Sequence, residues 1–298
     1  MRCLIIHNPA SGPSSDEIFA FTHALAQGGD EVVMRFIGDG MEPEDAVADV
    51  REFDRVVVSG GDGTVSNVLD QMRGCGVPTL VFPSGTACLF FNSIGVPPRQ
   101  RRSPRPAVPV AVQSTWASSF GSTDGNEKRH GFIIIAGSGF DAEIMMSRPT
   151  KNDIGEIAYF LSARHPIRWR TIEHDGIVEE LDGICCMAGN TSVIQNDINL
   201  FPDCRMNDGM VDIAVIEPVR TVQLLPTVIT AALDPAGKVL GRPQFKIIQT
   251  KEAKITCTPS LGMQVDGEII SSNTGVFGAR ALPQCLDLIV DEFSPLGK

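Results

Sequence analysis

The chain has few aromatic residues, no long apolar run and no excess of basic residues. Only 6% of its 298 residues are aromatic, and Tyr159 is the single tyrosine. No apolar run approaches the roughly 20 residues of a membrane-spanning helix, so none is predicted. The formal charge of −11 argues against broad nucleic-acid binding, and we expect no nucleic-acid partner. Any phosphate site must therefore use backbone amides, a metal ion and local basic groups.

The eight cysteines form no metal or redox motif. None makes a Cys-x-x-Cys pair, and no spacing of cysteine and histidine suits zinc. We interpret all eight as free thiols, mostly buried, in a reducing compartment. The N-terminus runs into the apolar stretch Cys3–Ile6 without the features of a signal peptide, so we expect a cytoplasmic protein.

In the first part of the chain, predicted strands alternate with predicted helices. The predicted strands are Cys3–Ile6, Glu31–Phe36, Arg55–Val58 and Thr79–Phe82. The predicted helices are Ser15–Gln27, Pro43–Val50, Val65–Arg73 and Ala87–Ile94. This alternation predicts a parallel sheet with helices on its faces, in which ligands bind beyond the carboxyl ends of the strands.

The composition changes at residues 96–106, a proline-rich and basic stretch. We interpret it as a connection between domains, and docking on anionic lipid is the alternative. We predict an α/β domain over residues 1–106 and a β-sandwich domain over residues 107–298. Whether the last residues return to the first domain is left open.

After residue 106 the sequence consists mostly of short predicted strands separated by residues that favour turns, which predicts a β-sandwich. The predicted strands are Val108–Val112, Phe132–Ala136, Gly183–Met187, Val211–Ile216, Phe245–Thr250, Ala253–Cys257, Met263–Val265 and Leu286–Val290. Two helical stretches, Ile154–Ala163 and Val222–Leu233, interrupt them.

The most informative segment is Gly60-Gly61-Asp62-Gly63-Thr64, which joins a predicted strand to a predicted helix. Such a turn leaves amides unpaired at a helix N-terminus, where the dipole favours an anion, and glycines let a phosphate approach. Asp62 could hold Mg²⁺ directly or through water, and Thr64 could cap the helix or donate to a phosphate. The segment fits neither the dinucleotide-binding fingerprint nor the Walker A loop. The alternative is an ordinary glycine-rich turn.

Two further turns of small residues follow strands of the same predicted sheet. Asn8-Pro9-Ala10-Ser11-Gly12 follows the first strand, and Pro83-Ser84-Gly85-Thr86 follows the fourth. The carboxyl ends of parallel strands share one edge, so the three turns are expected to lie together, as a nucleotide site requires. Ordinary turn chemistry is the alternative for each turn alone.

Two acidic turns lie in the second part. Asp266-Gly267-Glu268 is either a plain hairpin turn or a source of a general base and a metal contact. Asn207-Asp208-Gly209 is either a turn or a place where Asp208 and nearby carbonyls hold a hard cation.

Seven segments, in order along nearly the whole chain, resemble the bacterial diacylglycerol kinase and lipid kinase family, which is related to sphingosine kinases and more distantly to NAD kinases. They are Asn8–Gly12, Gly60–Thr64, Pro83–Ala87, Gly137–Ala142, Gly189-Asn190, Asn207–Asp212 and Asp266–Glu268. Each is weak alone, and their common order carries the resemblance.

The resemblance implies an NAD-kinase-like α/β domain with a parallel sheet, a C-terminal β-sandwich and a nucleotide cleft between them. It implies that ATP is bound by residues of the first domain: Asn8, Pro9, Ser11, Gly12, Gly60, Gly61, Asp62, Gly63, Thr64, Asn67, Gly85 and Thr86. It also implies a lipid substrate met at the membrane surface, peripheral membrane contact and a homodimer.

The resemblance implies catalytic roles for three acidic residues. Glu268 would take the proton of the lipid hydroxyl, with Asp266 beside it, and Asp62 would organise the catalytic Mg²⁺. A separate structural Mg²⁺ would be held by Asp208 and by the backbone carbonyls of Arg205 and Met210.

The chain departs from the family where Cys88-Leu89-Phe90 replaces Asn-Asp-Phe. Our leading hypothesis is an ATP-dependent lipid kinase that transfers the γ-phosphoryl group to the hydroxyl of a diacylglycerol-like or sphingoid lipid. The alternatives are a kinase of NAD or another small alcohol, and a non-catalytic relative that binds nucleotide or lipid.

Overall fold

The structure is a computed structural model. It describes residues 1–12, 16–38, 40–86, 88–95, 109–123, 126–139, 142, 168–195, 198–217, 229–230, 233–234, 237, 239–242, 244–291 and 294–297. Its contacts divide the chain into two compact units. The first unit comprises Met1–Trp116, Met206–Asp208 and Pro283–Lys298, and the second comprises Ala117–Arg205 and Gly209–Leu282. The predicted boundary at residue 106 and the predicted connection over residues 96–106 lie outside the described residues.

The first unit contains a parallel sheet with helices after its strands. Its elements are β1 (Arg2–His7), α1 (Glu17–Gln27), β2 (Glu31–Phe36), α2 (Pro43–Ala46), β3 (Arg55–Gly60), α3 (Asp62–Gln71), β4 (Thr79–Pro83) and α4 (Leu89–Ile94). The strand order is β4-β3-β1-β2, and each of these pairs is parallel. The predicted alternation of strands and helices is therefore confirmed.

Apolar residues of the central strands are buried, as expected for parallel strands between helices. Cys3, Ile5 and Val57 pack with Ile18 of α1. The C-terminal part of the chain adds a further parallel pairing, between Leu288 and Thr79 of β4. The core thus fixes the strands whose carboxyl ends carry the small-residue loops.

Helix α2 is shorter than predicted. It ends at Ala46, and a 3₁₀ turn, Val50–Glu52, follows it. The guanidinium of Arg35 donates to the carbonyl of Ala46 at 2.8 Å and to both carboxylate oxygens of Asp49 at 2.5 and 2.7 Å. This ion pair holds the end of the helix and lowers the pKa of Asp49.

The remaining elements are mainly antiparallel strands of the second unit. They are β5 (Pro109–Thr123), β6 (Asn126–Phe132), β7 (Ile135–Gly139), β8 (Arg168–His174), β9 (Ile177–Glu179), β10 (Cys185–Gly189), β11 (Val193–Gln195), β12 (Ile198–Asn199), β13 (Val211–Ile216), β14 (Phe245–Thr250), β15 (Glu252–Val265) and β16 (Glu268–Asp291). The sheet order is β14-β13-β10-β7-β15-β16. The strand-rich character predicted for this part is confirmed.

Strands β15 and β16 are longer than the sequence predicts. The predicted strands Ala253–Cys257 and Met263–Val265 are one strand, and Leu286–Val290 is the end of a strand of 24 residues. Register shifts along the β15–β16 pair absorb the residues that resemble turns, and β15 pairs first with β8 and then with β7. The buried side chains of Phe132 and Phe277 belong to the core that these strands enclose.

Two predicted helices fall wholly or mostly on residues that the structure does not describe. Ile154–Ala163 lies outside the described residues, and so do residues 222–228 and 231–232 of Val222–Leu233. Within the described part of the chain, no helix is long and apolar enough to cross a membrane.

Candidate functional site

Three loops meet at the carboxyl ends of β1, β3 and β4. A Cβ built on Gly85 would lie 2.5 Å from the Cα of Gly61, so the second and third loops touch through their backbones. A Cβ on Gly12 would lie 3.3 Å from the carbonyl oxygen of Ser84, so the first loop contacts the third. The prediction that the three turns share one edge of the sheet is confirmed. We call residues 8–12, 60–64 and 84–86 the three loops.

Asn8 connects the first loop to the start of α3. Its Nδ2 donates to Thr64 Oγ1 at 2.8 Å, and its Oδ1 accepts the amide of Ala10 at 2.9 Å. Helix α3 has Gly61 as N-cap, without a side-chain cap, and its first intrahelical bond runs from the amide of Val65 to the carbonyl of Gly61 at 3.0 Å. The Thr64 hydroxyl accepts from Asn8 and keeps its own proton for another acceptor.

The three loops fit a phosphate group. The amides of residues 62–64 precede the first intrahelical donor of α3, a helix of 10 residues, and its dipole favours an anion there. Ser11 Oγ is buried and has no hydrogen-bond partner among the described residues. Asn67 and Thr86 are exposed at or near the loops, and so is Pro9. None of the loop residues is Lys or Arg, so anion binding here rests on amides and hydroxyls.

Asp62 caps a different helix from the one it begins. Its carboxylate accepts the amides of Leu89 at 3.0 Å and Phe90 at 2.9 Å, at the N-terminus of α4. The local N-cap, Cys88, has a left-handed backbone (φ 46°) and makes no side-chain cap. Cys88 Sγ instead donates to the carbonyl of Gly85 at 3.1 Å, and burial raises the pKa of this thiol. Asp62 therefore ties the second loop to α4, and its role toward Mg²⁺ stays a prediction.

A buried polar chain lies beneath the three loops. His7 Nδ1 is 3.0 Å from Ser59 Oγ, which is 2.7 Å from Ser84 Oγ. The His7 ring also packs edge-on against Phe19 and Phe36 at centroid distances of 5.8 and 5.9 Å. Burial lowers the pKa of His7, which favours the neutral imidazole. The motifs did not predict these contacts, and the only sign of them in the sequence is a polar residue at the end of each apolar strand.

In the second unit, Asp266-Gly267 forms the hairpin turn between β15 and β16. Both residues have positive φ, 45° and 90°, and Val265 pairs with Glu268 across the turn. This is the geometry of a type I′ turn, for which Asp-Gly is favoured. The hairpin interpretation is confirmed for the backbone, and it leaves the chemical roles of the side chains as predictions.

The Asp266 carboxylate holds the turn between β6 and β7. It accepts the amides of Ile133 at 2.9 Å, Ile134 at 2.9 Å and Ile135 at 3.0 Å. The amide of Asn190 donates to the carbonyl of Ile134 at 3.0 Å on the same turn. Two motif segments that are far apart in sequence therefore meet at one turn. This turn also explains why predicted strand Phe132–Ala136 is split between β6 and β7.

Glu268 is exposed as the first residue of β16. The hairpin that presents it is fixed on two sides, since the amide of Gly267 donates to Gln264 Oε1 at 3.0 Å and the amide of Asp266 donates to the carbonyl of Ile135 at 2.8 Å. A carboxylate on such a rigid hairpin suits a base that acts on a group from solvent or a bound ligand.

The turn before β13 carries the residues predicted for the structural Mg²⁺. Gly209 has φ 75°, Arg205 and Asp208 are exposed, and Met210 is half-buried. One carboxylate and two carbonyls are the oxygen donors that Mg²⁺ prefers. Among the residues that the structure describes, no group of three His, Cys, Asp or Glu side chains could hold a metal ion. The Mg²⁺ sites remain predictions.

Two family models match successive parts of the chain. The diacylglycerol kinase catalytic domain matches residues 2–115, and the YegS C-terminal NAD kinase beta sandwich-like domain matches residues 136–290. The structure is similar to a crystal structure of a diacylglycerol kinase from Bacillus anthracis, with a TM-score of 0.68 at 18% identity over 96% of both chains, which shows the shared fold.

Curated relatives agree with these matches. The diacylglycerol kinase of Bacillus subtilis is 27% identical over 90% of this chain and 89% of its own length. A probable YegS-like lipid kinase of Alcanivorax borkumensis is 26% identical over 90% of each chain. Together the matches define an enzyme of the kinase class. The chain belongs to the family of bacterial diacylglycerol kinases and YegS-like lipid kinases. The predicted resemblance and the predicted enzyme class, lipid kinase, are confirmed.

Proposed function

We propose that the protein transfers the γ-phosphoryl group of ATP to the hydroxyl of a diacylglycerol-like or sphingoid lipid. The observation that carries the proposal is the meeting of the three loops around the N-terminus of α3. Loop amides and the Ser11 hydroxyl, which has no hydrogen-bond partner among the described residues, supply donors for a triphosphate without any basic side chain in the loops. The names of the curated relatives support a lipid as acceptor.

In this proposal the first unit binds ATP through loop backbone and short side chains. The residues are Asn8, Pro9, Ser11, Gly12, Gly60, Gly61, Asp62, Gly63, Thr64, Asn67, Gly85 and Thr86. Mg²⁺, when bound, neutralises charge on the phosphates. Each oxygen of the Asp62 carboxylate accepts one α4 amide and keeps a further lone pair, with which Asp62 would bind the ion or its water. Asp208 and the carbonyls of Arg205 and Met210 would hold the structural Mg²⁺.

In the second unit, Glu268 is the proposed general base. It accepts the proton of the lipid hydroxyl while the hydroxyl oxygen forms a bond to the γ-phosphorus. At the same time the bond between the γ-phosphorus and the oxygen that leaves with ADP breaks. Asp266 supports this step through the hairpin, because its carboxylate fixes the turn that precedes Glu268. The products are ADP and the lipid phosphate.

The test is phosphorylation of mixed vesicles that contain diacylglycerol or sphingosine, with Mg·ATP and detection of products by mass spectrometry. Glu268→Gln should lower kcat by roughly 10²- to 10⁴-fold, since a positioned base contributes that much. Glu180→Gln, which removes another exposed carboxylate of the same unit, should leave the rate unchanged. Equal rates for wild type and Glu268→Gln would remove Glu268 from the reaction.

The alternatives are distinguishable in the same assay. Phosphorylation of NAD added as acceptor would indicate a kinase of a soluble alcohol. Binding of ATP, measured by calorimetry, without formation of any product would indicate a non-catalytic relative. The curated relatives do not favour these alternatives, because they are named diacylglycerol kinases and lipid kinases.

We further propose that the enzyme meets its substrate at a membrane surface, from the cytoplasm, as a homodimer. Membrane contact is supported by the lipid nature of the acceptor and by exposed apolar side chains, Leu233 at 73% and Val239 at 85%. The homodimer is supported by the family resemblance alone. Vesicle sedimentation tests membrane contact, by comparing Val239→Glu with Val178→Glu, a change at another exposed valine. Light scattering tests the homodimer.

A further inference from the structure

The His7–Ser59–Ser84 chain joins the ends of three strands. His7 ends β1, Ser59 is the last residue but one of β3, and Ser84 directly follows β4. The exposed fractions of the three residues are 1%, 0% and 0%, so bulk water does not replace a lost partner. The first and second loops begin directly after His7 and Ser59, and Ser84 itself begins the third.

Backbone pairing alone leaves this edge incompletely bonded. The last pair between β3 and β4 joins Gly60 to Pro83, and proline has no N–H to donate. The amide of Ser84 reaches the carbonyl of Gly60 only at 3.4 Å. The Ser59–Ser84 contact, at 2.7 Å between hydroxyl oxygens, is therefore the short link at the point where the second and third loops begin.

The first and second loops are linked in the same way. Residues His7 and Ser59 form the last pair between β1 and β3, and the Nδ1–Oγ contact of 3.0 Å adds a side-chain bond to it. The amide of Asn8 then donates to the carbonyl of Ser59 at 3.0 Å. The chain thus fixes all three strand ends relative to one another.

We propose that His7, Ser59 and Ser84 are positioning residues that hold the three loops at the spacing an ATP triphosphate requires. The inference rests on the proposed function, because it assigns the phosphates to those loops. The three side chains lie beneath the loops and act through the loop amides, whose directions decide the hydrogen bonds to the phosphates.

The experiment measures Mg·ATP binding by calorimetry and separate KM values for ATP and for lipid. Ser59→Ala, Ser84→Ala and the double variant remove the contact between the two hydroxyls. His7→Phe keeps an aromatic ring beside Phe19 and Phe36 and removes Nδ1. Thr79→Val is the matched control, since it removes a buried hydroxyl at the other end of β4 that bonds the carbonyl of Val77.

Ser84→Ala should weaken Mg·ATP binding about 3- to 10-fold, the loss expected for one buried hydrogen bond. Ser59→Ala should weaken it at least as much, because it also removes the contact with His7 Nδ1. The double variant should lose no more than about the larger single loss, because either change breaks the same link. The KM for lipid should not change, and Thr79→Val should bind Mg·ATP like wild type. If one serine variant does not fold, the other serves the same test.

The inference is overturned if the serine variants bind Mg·ATP as wild type does, or if Thr79→Val weakens binding equally, which indicates a general stability effect. A wild type that does not bind Mg·ATP overturns it together with the nucleotide part of the proposed function. A wild type that binds Mg·ATP and phosphorylates no lipid overturns the acceptor assignment, and the binding measurements still decide the inference.

Discussion

Replacing Asp62 by asparagine tests whether this carboxylate organises the loops through α4. In the wild type it accepts the amides of Leu89 and Phe90, at 3.0 and 2.9 Å. Cys88, the local N-cap, makes no side-chain cap and so does not supply a substitute acceptor. The carboxamide that Asp62→Asn introduces would keep one acceptor oxygen and turn its NH₂ group toward the second amide. The helix should open at its N-terminus.

The expected magnitude follows from the number of bonds lost. A hydrogen bond to a charged group contributes about 1.5–3 kcal/mol, and Asp62→Asn removes one and weakens the other. A loss of about 2–3 kcal/mol in local stability corresponds to roughly 30- to 140-fold faster hydrogen exchange of the backbone amides at the start of α4. The affinity for Mg·ATP should fall as well, because Gly85 of the third loop is bonded to Cys88 at the same helix start.

Hydrogen exchange of the peptide that contains residues 88–95 measures this opening directly. Asp70→Asn is the control on helix α3. It changes a carboxylate that is half-buried like that of Asp62, pairs with Arg73 at 3.1 Å and, within the described part of the chain, makes no hydrogen bond to α4. If Asp62→Asn loses activity while exchange of this peptide stays at the wild-type rate, the capping role is refuted and a metal role alone remains.

Three further predictions concern the loop contact, the hairpin and the buried histidine. Gly85→Ala should cost about 1–3 kcal/mol in unfolding free energy and weaken ATP binding, because the new methyl would lie 2.5 Å from the Cα of Gly61. Asp266→Asn should speed hydrogen exchange of the amides of residues 133–135 and lower the free energy of unfolding by about 2–4 kcal/mol, because the charged carboxylate accepts hydrogen bonds from all three amides. Burial lowers the pKa of His7 below 6.5, so stability should fall as pH drops below 6.5, by up to about 1.4 kcal/mol per pH unit, until the folded-state pKa is passed.

Each of these measurements has a control. Gly275→Ala places its methyl 3.5 Å from the nearest atom, Ser260 Oγ, and should be nearly neutral in denaturant unfolding. Asp182→Asn removes an exposed carboxylate of the second unit and should leave exchange unchanged. His7→Gln should abolish the histidine part of the pH slope, because only the unfolded wild-type chain gains a proton at His7 in this range. A slope equal in both proteins would assign the pH dependence to other groups.

Local patterns predicted the first unit well because each strand there is a short apolar run and each following helix is amphipathic. The strand Glu31–Phe36 has the predicted bounds, and so does Val211–Ile216 in the second unit. The long strands β15 and β16 were divided wrongly, because residues that favour turns are absorbed by register shifts along the pair. Helix α3 begins at Asp62 rather than at Val65, because a glycine N-cap leaves no side-chain signal.

Local propensity and motifs in a fixed order were enough to predict the order of elements in the first unit, the three loops and the lipid kinase family. Long-range contacts in the folded chain decided the rest: Asp62 caps α4, Asp266 holds residues 133–135, and His7 and Ser59 belong to one buried chain. The physical reason is the same in each case. A polar side chain satisfies backbone or hydroxyl groups that lie 25 or more residues away, and such partners leave no periodic pattern in the sequence.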